Sequence, residues 1–276
     1  MAHQLPLPNM PSDKGIVNVA SVPQRSPFRY PGGKTWLVPR IRAWLYSLPE
    51  KPAHFVEPFA GGAIIGLTVA AERLAEHVTL VELDEQVAVV WQLLIHGDVK
   101  DVEWLAESIL RFELTSEAVE QLLAAEHLLP REQALRTIVK NRVNRGGILA
   151  PGAGRLKHGE NGRGIASRWY PRTLHKRIMN ILRLRDRLTF IHGDAFDVIA
   201  DKLAADNTVF FIDPPYTAGG KRAGRRLYNY WDIDHERLFS LSREMAGDFL
   251  MTYSNSEEVR RLAEDHGFDV EPVAMK

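Results

Sequence analysis

An α/β fold is predicted, with a Rossmann-like, doubly wound and mostly parallel sheet interrupted by an inserted module of helices and loops. Three observations predict it. Residues 54–84 read strand, helix, strand with short connections, the pattern of a β-α-β unit. Later in the chain, short β-branched and aromatic runs such as TVFFID (208–213) read as interior strands of a covered parallel sheet. Between these two regions the pattern turns helical, then basic and glycine-rich.

The elements follow in order. Residues 1–26 are polar and proline-spotted without periodicity, which predicts a flexible N-terminal extension. HFVEPF (54–59) reads as a strand, AIIGLTVAAERLA (63–75) as a helix and HVTLVELD (77–84) as a second strand. A helix follows from Gln86 to Leu94. Segments 101–114, 116–127 and 130–143 read as helices, with Ser116 as N-cap ahead of Glu117 and Pro130 at the start of its helix. After the glycine-rich stretch, Leu174, Ile178, Ile181 and Leu184 recur at helical spacing. Strands resume with LTFIHGD (188–194), TVFFID (208–213) and DFLMTYSN (248–255). The expected organisation is an extension (1–26), a sheet domain in two pieces (27–98 and 188–276) and a helical basic insert (99–187). There is no internal repeat.

Composition narrows the class. The chain has 276 residues, 45% apolar and 25% charged, enough for one large α/β domain with an insert or two modest domains. No apolar run approaches the ~18 residues of a membrane span, and residues 1–26 hold no basic segment followed by an apolar one. An intracellular, cytoplasmic protein with no membrane partner is expected. Cysteine is absent, which excludes disulfides, thiolate metal sites and a cysteine nucleophile. The ten histidines form no HExxH or comparable cluster, so no metal is expected.

The net charge of zero conceals an asymmetry. From Lys140 to Arg187 thirteen basic residues face two acids, Glu160 and Asp186, a local charge of +11. A second cluster, Lys221, Arg222, Arg225 and Arg226, follows the last proline pair. Solvated helix faces also carry such runs, but the interleaved glycines argue for loops, and a local excess of this size is the footprint of a surface for a polyanion.

Two nucleotide motifs compete for the glycines. Gly33-Lys34-Thr35 matches the end of a P-loop, but its first glycine would fall on Phe28. The dinucleotide fingerprint needs glycines at 61, 63 and 66, and position 63 is Ala63. What survives is a glycine turn after the first strand and Glu82 at the end of the second, placed to accept hydrogen bonds from ribose hydroxyls. That predicts an adenosine site rather than a pyrophosphate site.

One stretch remains, Asp213-Pro214-Pro215-Tyr216. The bland reading is a strand closed by a proline turn. Ligands, however, gather at the carboxyl ends of strands in such sheets. FRYPGGK (28–34), FVEPFAGGA (55–63), VELD (81–84), GDAFDVI (193–199) and DPPY (213–216), in that order, resemble the motif series of the Dam-like DNA adenine methyltransferases, the alpha group of amino-methyltransferases. The resemblance runs from residue 28 to about 256 and implies the S-adenosylmethionine-dependent methyltransferase fold, with 99–187 as target-recognition insert.

Residue by residue, the resemblance implies that Tyr30, Gly32, Gly33 and Lys34 pack beside the methionine end of S-adenosylmethionine. Glu57, Pro58, Phe59 and Gly61 form the loop that holds it, Glu82 takes the ribose, and Asp194 with Ala195 contacts the adenine. Asp213, Pro214, Pro215 and Tyr216 are the implied catalytic motif, with Asp213 also beside the cofactor. One departure is that the sequence ends at EPVAMK, where the family continues with a further antiparallel strand pair. This predicts either a truncation or a sheet closed differently.

The chemistry suits these residues. The exocyclic amine of adenine is a poor nucleophile because its lone pair is delocalised into the ring. Acceptors at its two hydrogens, the Asp213 carboxylate and the Pro214 carbonyl, redirect that lone pair, and the prolines stiffen the arrangement. Tyr216 would stack on a base flipped out of the duplex, recovering roughly 1–3 kcal/mol of the flipping cost. Tyr228, Tyr230 and Trp231 line this pocket, fill the gap left in the base stack, or pack as ordinary core or lid.

In the insert, Arg142, Asn144 and Arg145 are candidates to reach base edges. Arg155, Lys157, Arg163, Arg168 and Arg172, with Lys221 and Arg222 beyond the motif, are candidates for phosphates. Trp169-Tyr170 reads as a packing anchor. The expected activity is methylation of the adenine N6 amine in double-stranded DNA. An RNA substrate and a catalytically silent DNA-binding protein of the same fold stay open, as do a companion restriction endonuclease and a monomer or weak dimer.

Overall fold

The computed structural model describes residues 21–30, 32–157, 159, 162–215 and 227–273. Five strands form one parallel sheet in the order β3-β2-β1-β4-β5: β1 (His54–Glu57), β2 (His77–Glu82), β3 (Leu188–His192), β4 (Thr208–Ile212) and β5 (Phe249–Met251). The predicted class holds. β1 lies at the centre, the chain winds outward from it to β3 and then restarts on its other side with β4. The switch point lies between β1 and β4, and it is there that such sheets open a crevice at their carboxyl ends.

Strand residues alternate between two apolar layers. Phe55, Leu80, Phe190, Val209 and Phe211 face a large cluster, whereas Val56, Val81, Phe210 and Ile212 face a smaller one. Both faces are covered, which is why β4 is buried at every position and apolar from Val209 to Ile212. The large layer is built by helices α1 (Val38–Ser47), α2 (Ile64–Glu72), α3 (Glu85–His96), α4 (Val99–Arg111), α5 (Ser116–Ala124), α6 (Pro130–Val143) and α7 (Pro171–Leu182). The small layer lies under α8 (Ala195–Asp201) and α9 (His235–Glu244), followed after β5 by α10 (Glu257–Asp265).

The insert shares the sheet's core: Leu105, Val119, Ile138 and Ile178 belong to the same cluster as Phe55 and Leu80, because α3 offers an apolar surface to both. Several local expectations are corrected. The described end of the extension is not loose. Val22 and Ser26 are buried, and Arg25 pairs with Glu72 at 3.2 Å. Helix α5 is capped by Thr115, whose hydroxyl accepts from Ala118 N, rather than by Ser116. β1 stops at Glu57 because Pro58 cannot extend the ladder, and β5 is three residues long. Among the described residues no helix is long and apolar enough to cross a membrane.

Candidate active site

A cavity of about 530 Å³ opens at the carboxyl ends of β1, β2, β3 and β4. Its volume is that of an ordinary small-molecule site. It is bounded on one side by strand ends and on the other by the N-terminal segment and the insert.

The loop after β1 shapes its floor. Gly61 has φ +47°, and a Cβ there would lie 2.5 Å from the Tyr30 ring, so glycine serves both the backbone and the close approach. Ala63, which stands where the dinucleotide fingerprint has its middle glycine, takes the left-handed conformation at φ +49°. Helix α2 has no side-chain N-cap; instead Glu57 Oε2 accepts from Gly66 N at 2.8 Å. Glu57 is buried, and burial first of all raises its pKa well above the usual carboxylate range. Trp91 of α3 donates to Gly61 O at 2.9 Å and packs against Phe28, tying loop, helix and N-terminal segment together.

Glu82 closes β2. Its carboxylate accepts from Gly61 N and from Asp84 N, both at 2.8 Å, and burial pushes its pKa up to about 7. Asp84 caps α3 through Gln86 N and also accepts from Asn229 Nδ2 at 2.6 Å. At the end of β3, Asp194 caps α8 through Phe196 N at 2.8 Å. Beside it Phe59 and Phe196 meet edge to face at 6.5 Å, and with Ala195 and Ile233 they form an apolar slot in the wall.

Asp213 stands directly after β4. Its Oδ2 is 2.7 Å from Lys34 Nζ, and its Oδ1 accepts from Thr252 Oγ1 at 2.7 Å. Thr252 follows β5, and its backbone N–H donates to Ile212 O, so two adjacent strands converge on one carboxylate. Lys34 is nearly buried and also donates to Gly32 O. Tyr30 and Tyr228 face each other at 6.0 Å. Burial, then the charges of Asp213 and Glu82, pushes the Tyr228 phenol up to about 12.

The cavity thus gathers Tyr30, Gly32, Gly33, Lys34, Glu57, Pro58, Phe59, Gly61, Glu82, Asp194, Ala195, Asp213 and Pro215 from the sequence-based candidates. Pro214 is buried beneath it. Tyr216, Lys221 and Arg222 lie outside the described residues. Thr252, Asp84, Asn229 and Phe196 are additions; only contact across the sheet brings Thr252 and Asn229 here, so no sequence spacing announces them.

The insert candidates separate into two groups. Arg145, Lys157, Arg163 and Arg172 are exposed, and Arg155 is half-buried with Glu120 at 3.1 Å. Arg142 and Asn144 do not reach the outer surface, which corrects their expected placement at base edges. Arg142 is 4% exposed and donates to Pro27 O, while Asn144 is 3% exposed and donates to Ile148 O. Arg168 is half-buried on the cavity wall. Trp169 packs against Phe112, as an anchor should, but Tyr170 is exposed at the cavity with Arg163 over its ring.

Comparison with known families is consistent with this geometry. A family model described as D12 class N6 adenine-specific DNA methyltransferase matches residues 30–274. The chain belongs to that family. It is an enzyme, a DNA methyltransferase acting on adenine. A search of curated proteins finds no match. Residues from all five of the methyltransferase's sequence motifs border one cavity, and the match spans both pieces of the sheet and the whole insert.

Proposed function

We propose that this methyltransferase transfers a methyl group from S-adenosylmethionine to the N6 amine of an adenine flipped out of double-stranded DNA. The observation that carries the reading is the sharing of one cavity by Asp213 and Glu82, held at the ends of β4 and β2, on either side of β1, by donors of their own. The donor set suits the cofactor. Glu82 would hold the ribose diol, the slot of Phe59, Phe196 and Ile233 beside Asp194 would take the adenine, and Tyr30 with the Gly32 to Lys34 turn would border the methionine end. When bound, the cofactor supplies an electrophilic methyl group on a sulfonium.

The chain's own part is to prepare the amine. Asp213 and the Pro214 carbonyl accept its two hydrogens, so that the nitrogen lone pair leaves conjugation with the ring. A carboxylate has about four lone-pair sites, which lets Asp213 be held by Lys34 and Thr252 and still accept from substrate. Lys34 and Thr252 restrict its orientation from two sides, which reduces the reorganisation needed at the transition state. Tyr216 is proposed as the stacking partner of the flipped base. The exposed Arg145, Lys157, Arg163 and Arg172 are proposed to grip the duplex, and 99–187 to recognise the target. The test is transfer of labelled methyl from S-adenosylmethionine to unmethylated plasmid, with modified bases mapped by sequencing. Label on adenine within one short motif supports the proposal; label on RNA alone, or none despite binding of cofactor and DNA, rejects it.

A further inference from the structure

Tyr46, Tyr170 and Tyr230 are the tyrosines exposed among the described residues, and the last two line the cavity. Tyr170 is fixed by its neighbours in sequence while its ring stays in water. Trp169 before it is buried against Phe112, and Pro171 after it opens α7, where Leu174 N donates to Tyr170 O at 3.0 Å. Tyr170, Thr173, Leu174 and Arg177 follow at the i, i+3, i+4, i+7 spacing of one helical face, and all four line the cavity. Leu174 belongs to the core, whereas Thr173 and Tyr170 are exposed, so this face climbs from the core to the cavity rim and Tyr170, 43% exposed, stands at its outer end. Gly164, at φ +53°, opens the short 3-10 turn Gly164–Arg168, and the exposed Arg163 just before it lies with its guanidinium 5.7 Å from the centre of the Tyr170 ring. A large ring held rigidly in water forgoes the burial its area makes available. Ring and cation presented together are what a nucleobase stacks on.

We propose that Tyr170 is a stacking platform, backed by Arg163, for a nucleobase next to the flipped adenine in the substrate strand. The inference rests on the cavity being the seat of that adenine, as proposed above. The target base itself has to reach Asp213 and the Pro214 carbonyl at the end of β4, and the cofactor adenine is assigned to the slot beside Asp194. Tyr170 heads α7 on the insert side, apart from both, where a strand that delivers its base to β4 passes over the rim. A ring stacks on any base, so this contact holds the strand in place and leaves the reading of sequence to other residues.

The test is binding of the full chain to a DNA duplex with a short central bubble of unpaired adenines and thymines, over a potassium chloride series. Cofactor affinity is measured separately by calorimetry without DNA. Tyr170→Ala is expected to weaken binding about tenfold, within the range for one base on one ring. The slope of log affinity against log salt should not move, because no phosphate contact is lost, and Tyr170→Phe, which keeps the ring, should bind like the wild type. Unchanged affinity in Tyr170→Ala would overturn the proposal. A lowered salt slope would overturn it too, leaving the ring as a support for Arg163 on a phosphate, and so would a loss of cofactor affinity or a Tyr170→Phe variant as weak as Tyr170→Ala. Binding needs no turnover. A protein that holds the bubble through Tyr170 and methylates nothing would sustain the platform and reject the proposed activity, whereas a Tyr170→Ala variant that binds and methylates as the wild type does would reject the platform alone.

Discussion

The two walls of the cavity make opposite use of charge. On the strand side Glu57, Glu82, Asp84, Asp194 and Asp213 each accept at least one hydrogen bond, mostly from backbone amides of the loops and first helical turns at the strands' carboxyl ends. On the insert side the guanidiniums of Arg29 and Arg142 keep buried nitrogens without partners. The acidic wall is complete within the chain, so its geometry is preorganised for chemistry. The basic wall leaves two buried guanidinium nitrogens, Arg29 Nη1 and Arg142 Nε, without a hydrogen-bond partner. Preorganisation and unmet demand are different physical states, and they respond differently to mutation.

The largest effect should come from the acidic wall. Asp213→Asn replaces an acceptor with a group that can donate, and methyl transfer in single-turnover assays is expected to fall about 10²–10³-fold with DNA affinity kept. Retention of most activity would remove Asp213 from the reaction. Lys34→Met leaves Asp213 without its nearly buried cation. It should cost up to about 3 kcal/mol in denaturant unfolding, together with a drop in rate; unchanged stability would mean that the pair is not held in solution.

A smaller effect separates positioning from structure. Thr252→Val deletes one donor to Asp213 and is expected to lower kcat about tenfold, the loss of one hydrogen bond to a charged group. KM and melting temperature should stay put, and Thr252→Ser should restore the rate. A change in KM alone would count against it. The mildest effect concerns pH. Glu82 has its pKa raised to about 7 by burial, so it ionises as pH rises through neutrality, and a carboxylate accepts ribose hydroxyls better than its acid. Cofactor affinity should therefore rise between pH 6 and 8, by roughly tenfold at most, the change in ionised fraction for one such group. Glu82→Gln should flatten the profile, and a flat wild-type profile would take Glu82 away from the ribose.

Much of the strand side was legible in the sequence. A parallel strand covered on both faces reads as a continuous apolar run, so Val209 to Ile212 announces itself, and Asp213 follows it directly. The helices Val38–Ser47, His235–Glu244 and Glu257–Asp265 have no counterpart among the sequence-based expectations. For Val38–Ser47 a signal existed, since Val38, Ile41, Trp44 and Leu45 are its buried face at helical spacing. The insert was the least legible part. Its +11 charge was plain, but charge alone does not say which cations are surface and which are wall. Arg142 reads like its neighbours and yet is 4% exposed.

By itself the sequence determined the α/β class, the order of motifs and the membership of Glu82, Asp194 and Asp213 in one site. These follow from local rules: periodicity sets each element, and a residue at the end of a parallel strand must lie at the sheet's carboxyl edge. Only the tertiary structure decided that Thr252 holds Asp213, that Asn229 joins Asp84, and that Asn141 holds the backbone of Arg29. Those contacts span 39, 145 and more than a hundred positions of chain. They depend on which strands neighbour one another and on how α6 and α7 seat the segment before Tyr30, which is settled by packing against a common core and leaves no periodic trace in the residues themselves.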